Sequence, residues 1–287
     1  MPSRKPQRPR SLHLQDGSVI RFPAVMGILN VTPDSFSDGG RFLDPDRAVE
    51  HALAMEAAGA AIIDVGGEST RWNAQEVATE VELDRVLPVI EALRTRLKAP
   101  ISIDTRKAVV ASAALDEGAA IVNDVSGLMF DRAMPHAVAR ADAALIVMHM
   151  RGTPATMDRL ARYRNVVAEV RTFLERQAGV AIGAGVRRSR IIVDPGLSFA
   201  KKARHNLELI GGLSELCALG YPVLIGASRK RFVRRIAGGG ESDLLFGTAA
   251  INALAIAAGA SIIRVHDPGP AVAVTRMMTA FVKYKRG

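Results

Sequence analysis

The chain has 287 residues, 48% of them hydrophobic and 23% charged, which supplies a real core and excludes global disorder. A lone cysteine, Cys217, excludes an internal disulfide scaffold and favours a reducing compartment. The net charge of +9 suggests a nucleic-acid binder, but Arg4, Lys5, Arg8 and Arg10 at one end and Lys283, Lys285 and Arg286 at the other leave only +2 for residues 11–280, so nucleic acid is not the expected partner.

Residues 1–10, rich in Pro and Arg, read as a flexible basic tail. No apolar targeting stretch comes after them, so the expected location is cytoplasmic. Leu12–Gln15 and Ser18–Phe22 flank an Asp16-Gly17 pair, which predicts a β-hairpin over 11–22 at the base of the fold. Eight apolar runs then recur: Val25–Leu29, Ala61–Val65, Ile101–Asp104, Ala120–Asn123, Leu145–Met150, Ile191–Asp194, Val223–Gly226 and Ser261–Val265. Helix-length stretches separate most of them, and continuous rather than alternating apolarity fits strands covered on both faces. The echo of Gly59–Asp64 in Gly118–Asn123 and Gly259–Arg264 places a glycine at a helix end, then a strand with a polar residue at its C-terminal end. The pattern predicts an α/β protein, a (β/α)8 TIM barrel filling 11–287 as one domain, with a doubly wound open sheet as runner-up. Gly238-Gly239-Gly240 reads as a loop within the seventh unit. The uncharged stretch Leu244 to Ile263 holds seven alanines and reads as a buried helix followed by a strand, not a membrane span.

In such a barrel chemistry sits at the strand C-termini. The residues there are Asn30, Asp64, Asp104, Asn123 with Asp124, His149, Asp194, Ser228-Arg229-Lys230, and Arg264 with His266. Asp104, Asn123 and Asp194 suit a flat heterocycle carrying N–H donors and carbonyl acceptors, since a carboxylate takes two parallel hydrogen bonds from an aminopyrimidine edge. The plainer role for Asp104 is to cap the helix after it. Arg229, Lys230, Arg264 and His266, with Ser69, Thr70 and Arg71, suit a phosphate or pyrophosphate, and Asn30 offers a neutral oxygen to a hard cation such as Mg2+. No nucleophile–base pair stands out. Cys217 reads as core, and His149 is as easily structural as functional.

These stretches together resemble the dihydropteroate synthases. The resemblance is carried by Gly27–Gly40 (GILNVTPDSFSDGG), Asp64–Arg71 (DVGGESTR), Ser102–Thr105, Asn123–Gly127, Met148–Pro154 (MHMRGTP), Asp194-Pro195-Gly196, Ser228-Arg229-Lys230 and Arg264–Asp267, in family order. It implies a barrel that condenses 6-hydroxymethyl-7,8-dihydropterin pyrophosphate with p-aminobenzoate, releasing pyrophosphate with Mg2+ and forming 7,8-dihydropteroate in folate biosynthesis. It implies pterin contacts at Asp104, Asn123, Met148, Asp194 and Lys230, and pyrophosphate or metal contacts at Asn30, Thr70, Arg264 and His266. Arg71, Phe199 and Ser228 would meet p-aminobenzoate, and Asp38, Thr70, Arg71 and Lys230 would carry the catalytic step. A homodimer through barrel helices and a sulfonamide target are also implied, while the sequence itself, with no stretch that reads as a span, gives no expectation of a membrane partner.

The chain departs from the family pattern at Trp72-Asn73, where Pro-Gly is usual. It departs again at Ser198 and Ala200 (glycines), Lys202 (Thr), Arg231 (a small residue) and Pro268 (an aliphatic residue). The changes cluster near the second substrate. They leave open a variant with altered p-aminobenzoate or sulfonamide handling, or a pterin methyltransferase on the same barrel.

Overall fold

The computed structural model describes residues 9–32, 45–69, 75–153 and 155–284. Asp38, Thr70, Arg71 and the Trp72-Asn73 departure lie outside the described residues, as do residues 1–8 of the basic tail.

Strands β1 (Ser11–His13) and β2 (Val19–Arg21) pair antiparallel around the expected turn. Gly17 takes the left-handed φ of 84° that the turn requires, and Asp16 Oδ1 accepts from the Ser18 N–H at 2.9 Å. Eight parallel strands come next: β3 (Ala24–Asn30), β4 (Ile62–Gly66), β5 (Ile101–Asp104), β6 (Ile121–Asp124), β7 (Ala144–Met148), β8 (Ile191–Asp194), β9 (Leu224–Ile225) and β10 (Ile262–Val265). Their order is β8-β7-β6-β5-β4-β3-β10-β9, and a parallel bridge between Val193 and Val223 joins β8 to the β9 edge, closing the ring. The helices α1 (Pro45–Ala57), α2 (Thr79–Arg94), α3 (Ala108–Asp116), α4 (Met134–Arg140), α5 (Val166–Gly183), α6 (Ala203–Gly211), α7 (Leu213–Cys217), α8 (Arg231–Ala237), α9 (Glu241–Ala258) and α10 (Pro268–Tyr284) fall between and after the strands. The (β/α)8 barrel is therefore the fold, and the open sheet is excluded.

The period-2 geometry of strands divides the core in two. Ile63, Val65, Ile103, Val122, Val193 and Ile263 face outward and pack with the helices in one large cluster. Met26, Ile62, Ile121, Ile192, Leu224 and Ile262 face inward and pack with Leu12, Leu14 and Ile20, so the hairpin plugs the base of the barrel. Gly59, Gly118 and Gly259, the three echoed glycines, have φ of 96°, 114° and 112°, as helix-ending residues do.

Some expectations need correction. The fifth run ends as a strand at Met148, because the chain beyond it is crossed by two glycine turns. A Cβ on Gly196 would lie 2.1 Å from the His149 carbonyl oxygen. The seventh unit contains two helices, and Gly238–Gly240 forms the expected loop between α8 and α9. Helix α9 is not buried throughout: Leu244, Thr248, Asn252, Ala255 and Ile256 face the core, while Phe246 and Leu254 are exposed. Its length and hydropathy would suit a membrane, yet one face packs on the barrel. Pro268 begins α10, where a missing N–H costs nothing, which accounts for that departure. Cys217 is buried on α7.

Candidate active site

Two positions above the inward isoleucines, the same strands turn polar. Asp64 follows Ile62, Asn123 follows Ile121, Asp194 follows Ile192 and Arg264 follows Ile262, so strand parity alone aims all four into the barrel mouth. Ser102 and Asp104 share that face of β5, and Asn30 shares the parity of Met26 on β3.

The Arg264 guanidinium organises this layer. Its Nε donates to Asp64 Oδ2 and its Nη2 to Asp104 Oδ2, each at 2.6 Å, while Asn123 Nδ2 donates to the same Asp64 oxygen at 3.0 Å. The two acids hold Arg264 above the usual arginine range despite its burial. Burial raises Asp104, Arg264 opposes that, and Asp64 adds to the rise. Asp64 Oδ1 is buried without a partner among the described residues. Asp104 therefore does not cap α3, whose first N–H, on Ala108, donates to Asp131 Oδ2 at 2.8 Å. Its partner is Arg264, because its strand parity points it inward.

Asp194 and Lys230 form the second part. Asp194 Oδ1 accepts the Gly196 N–H at 2.7 Å, and burial raises its pKa against the pull of that bond and of Lys230. Lys230 donates to the Leu197 carbonyl at 2.9 Å, and its Nζ sits 4.1 Å above the Phe199 ring. Burial lowers it to about 8, with Asp194 pulling the other way. Met148 pairs in register with Asp194. Ser228 Oγ lies 3.0 Å from His266 Nδ1 and accepts the His266 N–H at 3.2 Å, tying those two strand ends together. Arg229 instead makes a two-bond surface pair with Asp267, at 3.1 and 2.8 Å, and Asp124 spends its carboxylate on the Ser126 and Leu128 N–H groups of its own turn.

Several groups had no signal in the sequence. Glu82, fully buried on α2, takes a 2.5 Å bond from Lys107 Nζ, which also donates to Glu68 at 2.7 Å. With Arg85 donating to the Gly67 carbonyl, these bonds pin the start of the second loop. Lys201, 6% exposed, lies 2.8 Å from His149 Nδ1 and donates to Phe199 O at 2.9 Å. Burial takes Lys201 well below the lysine range and His149 to about 2. Asn206 Oδ1 accepts the Ser198 N–H at 2.8 Å. Ser198 and Ala200 stand at φ of 70° and 51°, left-handed conformations costing about 1 kcal/mol or more each without glycine. A cavity of about 910 Å3 opens beside Phe199, lined also by Ser69, Arg106, Phe130, His149 and Phe173; Asp104 and Arg264 do not line it.

The arrangement offers acid and amide groups within the barrel, cations beside them, and an aromatic ring at the rim. The pterin binding enzyme family matches residues 26–266. A dihydropteroate synthase of Mycobacterium leprae is 48% identical over 265 residues, covering 90% of this chain and 93% of that one. A dihydropteroate synthase of Synechocystis is 47% identical over 244 residues, covering 85% and 84%. The Xanthomonas albilineans dihydropteroate synthase structure with 4-aminobenzoic acid superposes with a TM-score of 0.88 at 40% identity, covering 95% of this chain and 98% of that one. This chain therefore belongs to the dihydropteroate synthase family of pterin-binding enzymes.

Proposed function

We propose that the barrel mouth condenses 6-hydroxymethyl-7,8-dihydropterin pyrophosphate with p-aminobenzoate to give 7,8-dihydropteroate and pyrophosphate. The observation that carries this reading is the inward-facing set Asp64, Asp104, Asn123, Asp194, Lys230 and Arg264, bonded or charge-paired into one layer.

Asp194 and Asn123 present an acceptor-rich edge to the pterin amino and N–H groups, Lys230 donates to the ring, and Met148 supplies an apolar face. Arg264, held rigid by two acids, and His266, held by Ser228, stabilise charge building on the departing pyrophosphate. The pterin methylene C–O bond breaks with both electrons leaving on the pyrophosphate oxygen. The amine of p-aminobenzoate then forms the C–N bond and gives its proton to solvent or the leaving group. That amine is already nucleophilic, so no strong base is needed, which agrees with the low pKa of the neutral His149. Phe199, beside Lys230 and the cavity, and Ser228, tied to His266, border the second substrate.

Mg2+ fits this site as a substrate-held cation. The amide oxygen of Asn30 shares the inward parity of the mouth, and no group of three His, Cys, Asp or Glu ligands stands among the described residues. A cation bound through one neutral oxygen, water and the pyrophosphate matches magnesium's preference for retained waters. Bound there, it would neutralise leaving-group charge.

The strained pair Ser198 and Ala200 beside Phe199 favours a second reading for specificity alone: altered handling of p-aminobenzoate and of sulfonamides that imitate it. The proposal includes a homodimer in the cytoplasm. Exposed Phe246 and Leu254 on α9 and Met277, Phe281 and Tyr284 on α10 form an apolar surface suited to a second copy. Sedimentation should give twice the chain mass, and Phe246→Glu with Met277→Glu should give the chain mass.

Calorimetry with two probes tests the division of the site. Asp194→Ala should weaken binding of 6-hydroxymethylpterin by about 2 kcal/mol and spare inorganic pyrophosphate, and His266→Ala should weaken pyrophosphate and spare the pterin. Equal loss of both probes in both variants would overturn the assignment.

A further inference from the structure

The turn from Pro195 to Lys202 carries Phe199 between two non-glycine residues in left-handed backbone, Ser198 and Ala200. Left alone, such residues relax to negative φ, which would turn the peptide planes on both sides of Phe199 and swing its ring away from Lys230. Three side chains oppose that motion. The Leu197–Ser198 peptide is pinned at both ends, its carbonyl by Lys230 and its N–H by Asn206. The Phe199–Ala200 peptide is pinned at its carbonyl by Lys201 at 2.9 Å.

Lys201 is anchored in turn to the barrel wall. Its Nζ lies 2.8 Å from His149 Nδ1 and 3.3 Å from the His149 carbonyl, just past the end of β7. The His149 ring is fixed by an edge contact with Phe173 at 4.8 Å. Lys201 touches none of Asp104, Asn123 or Arg264 by hydrogen bond; its partners are His149 and Phe199.

We propose that Lys201 is a positioning residue for the second substrate: it clamps the Phe199 carbonyl to the His149 strand end, holding in place a ring whose flanking backbone is strained by Ser198 and Ala200. This rests on reading Phe199 as a wall of the p-aminobenzoate site. The clamp matters in this chain because side chains occupy both left-handed positions; glycine there would remove the need for it.

The test compares Lys201→Met with Lys201→Met/Ser198→Gly/Ala200→Gly, measuring KM for p-aminobenzoate by kinetics and Kd for dihydropterin pyrophosphate by calorimetry. Lys201→Met should raise the KM about tenfold or more while the Kd changes less than about threefold, and the two glycines should return the KM to within about threefold of wild type. An unchanged KM, a KM and Kd that rise together, or glycines that restore nothing would each overturn the clamp. Phe199→Ala separates the two readings: if it leaves the KM for p-aminobenzoate unchanged, the placement of that substrate fails; if it raises the KM and Lys201→Met does not, only the clamp fails. Should Lys201→Met not fold, Lys201→Gln, which keeps two N–H groups, is judged by the same criteria. Failure of both to fold would make Lys201 a core residue and overturn the proposal.

Discussion

The closed and open ends of the barrel are built by the same strands, two residues apart. Ile62, Ile121, Ile192 and Ile262 meet the hairpin residues Leu12, Leu14 and Ile20 in a dry plug, while Asp64, Asn123, Asp194 and Arg264 stand one strand period above them. Below, each buried side chain contributes about 2 kcal/mol through lost apolar surface. Above, burial raises Asp104 and Asp194, and buried polar groups are costly unless something satisfies them. The lesson is a division of labour along one strand: the lower layer stabilises, and that margin tolerates a polar layer poised for ligand.

Breaking this division from below should give the largest effect. Ile121→Ala should lower unfolding free energy by about 3 kcal/mol in urea titration, with kcat/KM of the folded fraction within about twofold of wild type. Loss of activity without loss of stability would contradict the layering. From above, Asp194→Ala should weaken dihydropterin pyrophosphate binding by about 2 kcal/mol, roughly thirtyfold, yet change Tm by only a few degrees, because losing the bond from Gly196 is offset by removing a buried carboxyl. A large drop in Tm would move Asp194 into the stabilising layer.

Asp124 sharpens the comparison through pH. Burial raises its pKa to about 6, ahead of the opposing bonds from Ser126 and Leu128. The folded chain therefore holds this proton more tightly than the unfolded one. Its contribution to stability is full below the ordinary carboxylate range and is lost as pH rises through about 6. The stability of wild type relative to Asp124→Asn should then fall between pH 4 and 7 by on the order of 2 kcal/mol, read by urea titration at each pH. A flat difference would mean the carboxyl is equally solvated in both states. The smallest expected effect is the coupling of Asp64 and Arg264: a double-mutant cycle of Asp64→Asn with Arg264→Met should return an interaction energy of about 1 kcal/mol in stability, and additivity would remove Arg264 as the organiser.

The barrel was legible because eight apolar runs, three echoed glycines and the Asp16-Gly17 turn are local signals, each with a local cause. The polar strand ends were legible for the same reason, since a charge closing an apolar run has few places to go in a barrel. What was not legible depended on contacts distant in sequence. Nothing near Asp64 announces that it joins Asn123 and Arg264, the latter 200 residues on. Glu82 reads as an ordinary helix acid until Lys107 covers it. Lys201 gave no local signal, and its partner His149 lies 52 residues earlier. Helix α9 misled because alanine-rich composition reports hydrophobicity, not which face meets the barrel.

The central claim is that the polar layer above the isoleucines carries out the condensation. The most direct measurement mixes purified protein with dihydropterin pyrophosphate, p-aminobenzoate and Mg2+ and tracks both products. Dihydropteroate and pyrophosphate should appear in equal amounts, and Asp194→Ala should suppress both together. Pyrophosphate released without dihydropteroate, or no release from a protein that binds the pterin, would contradict the account.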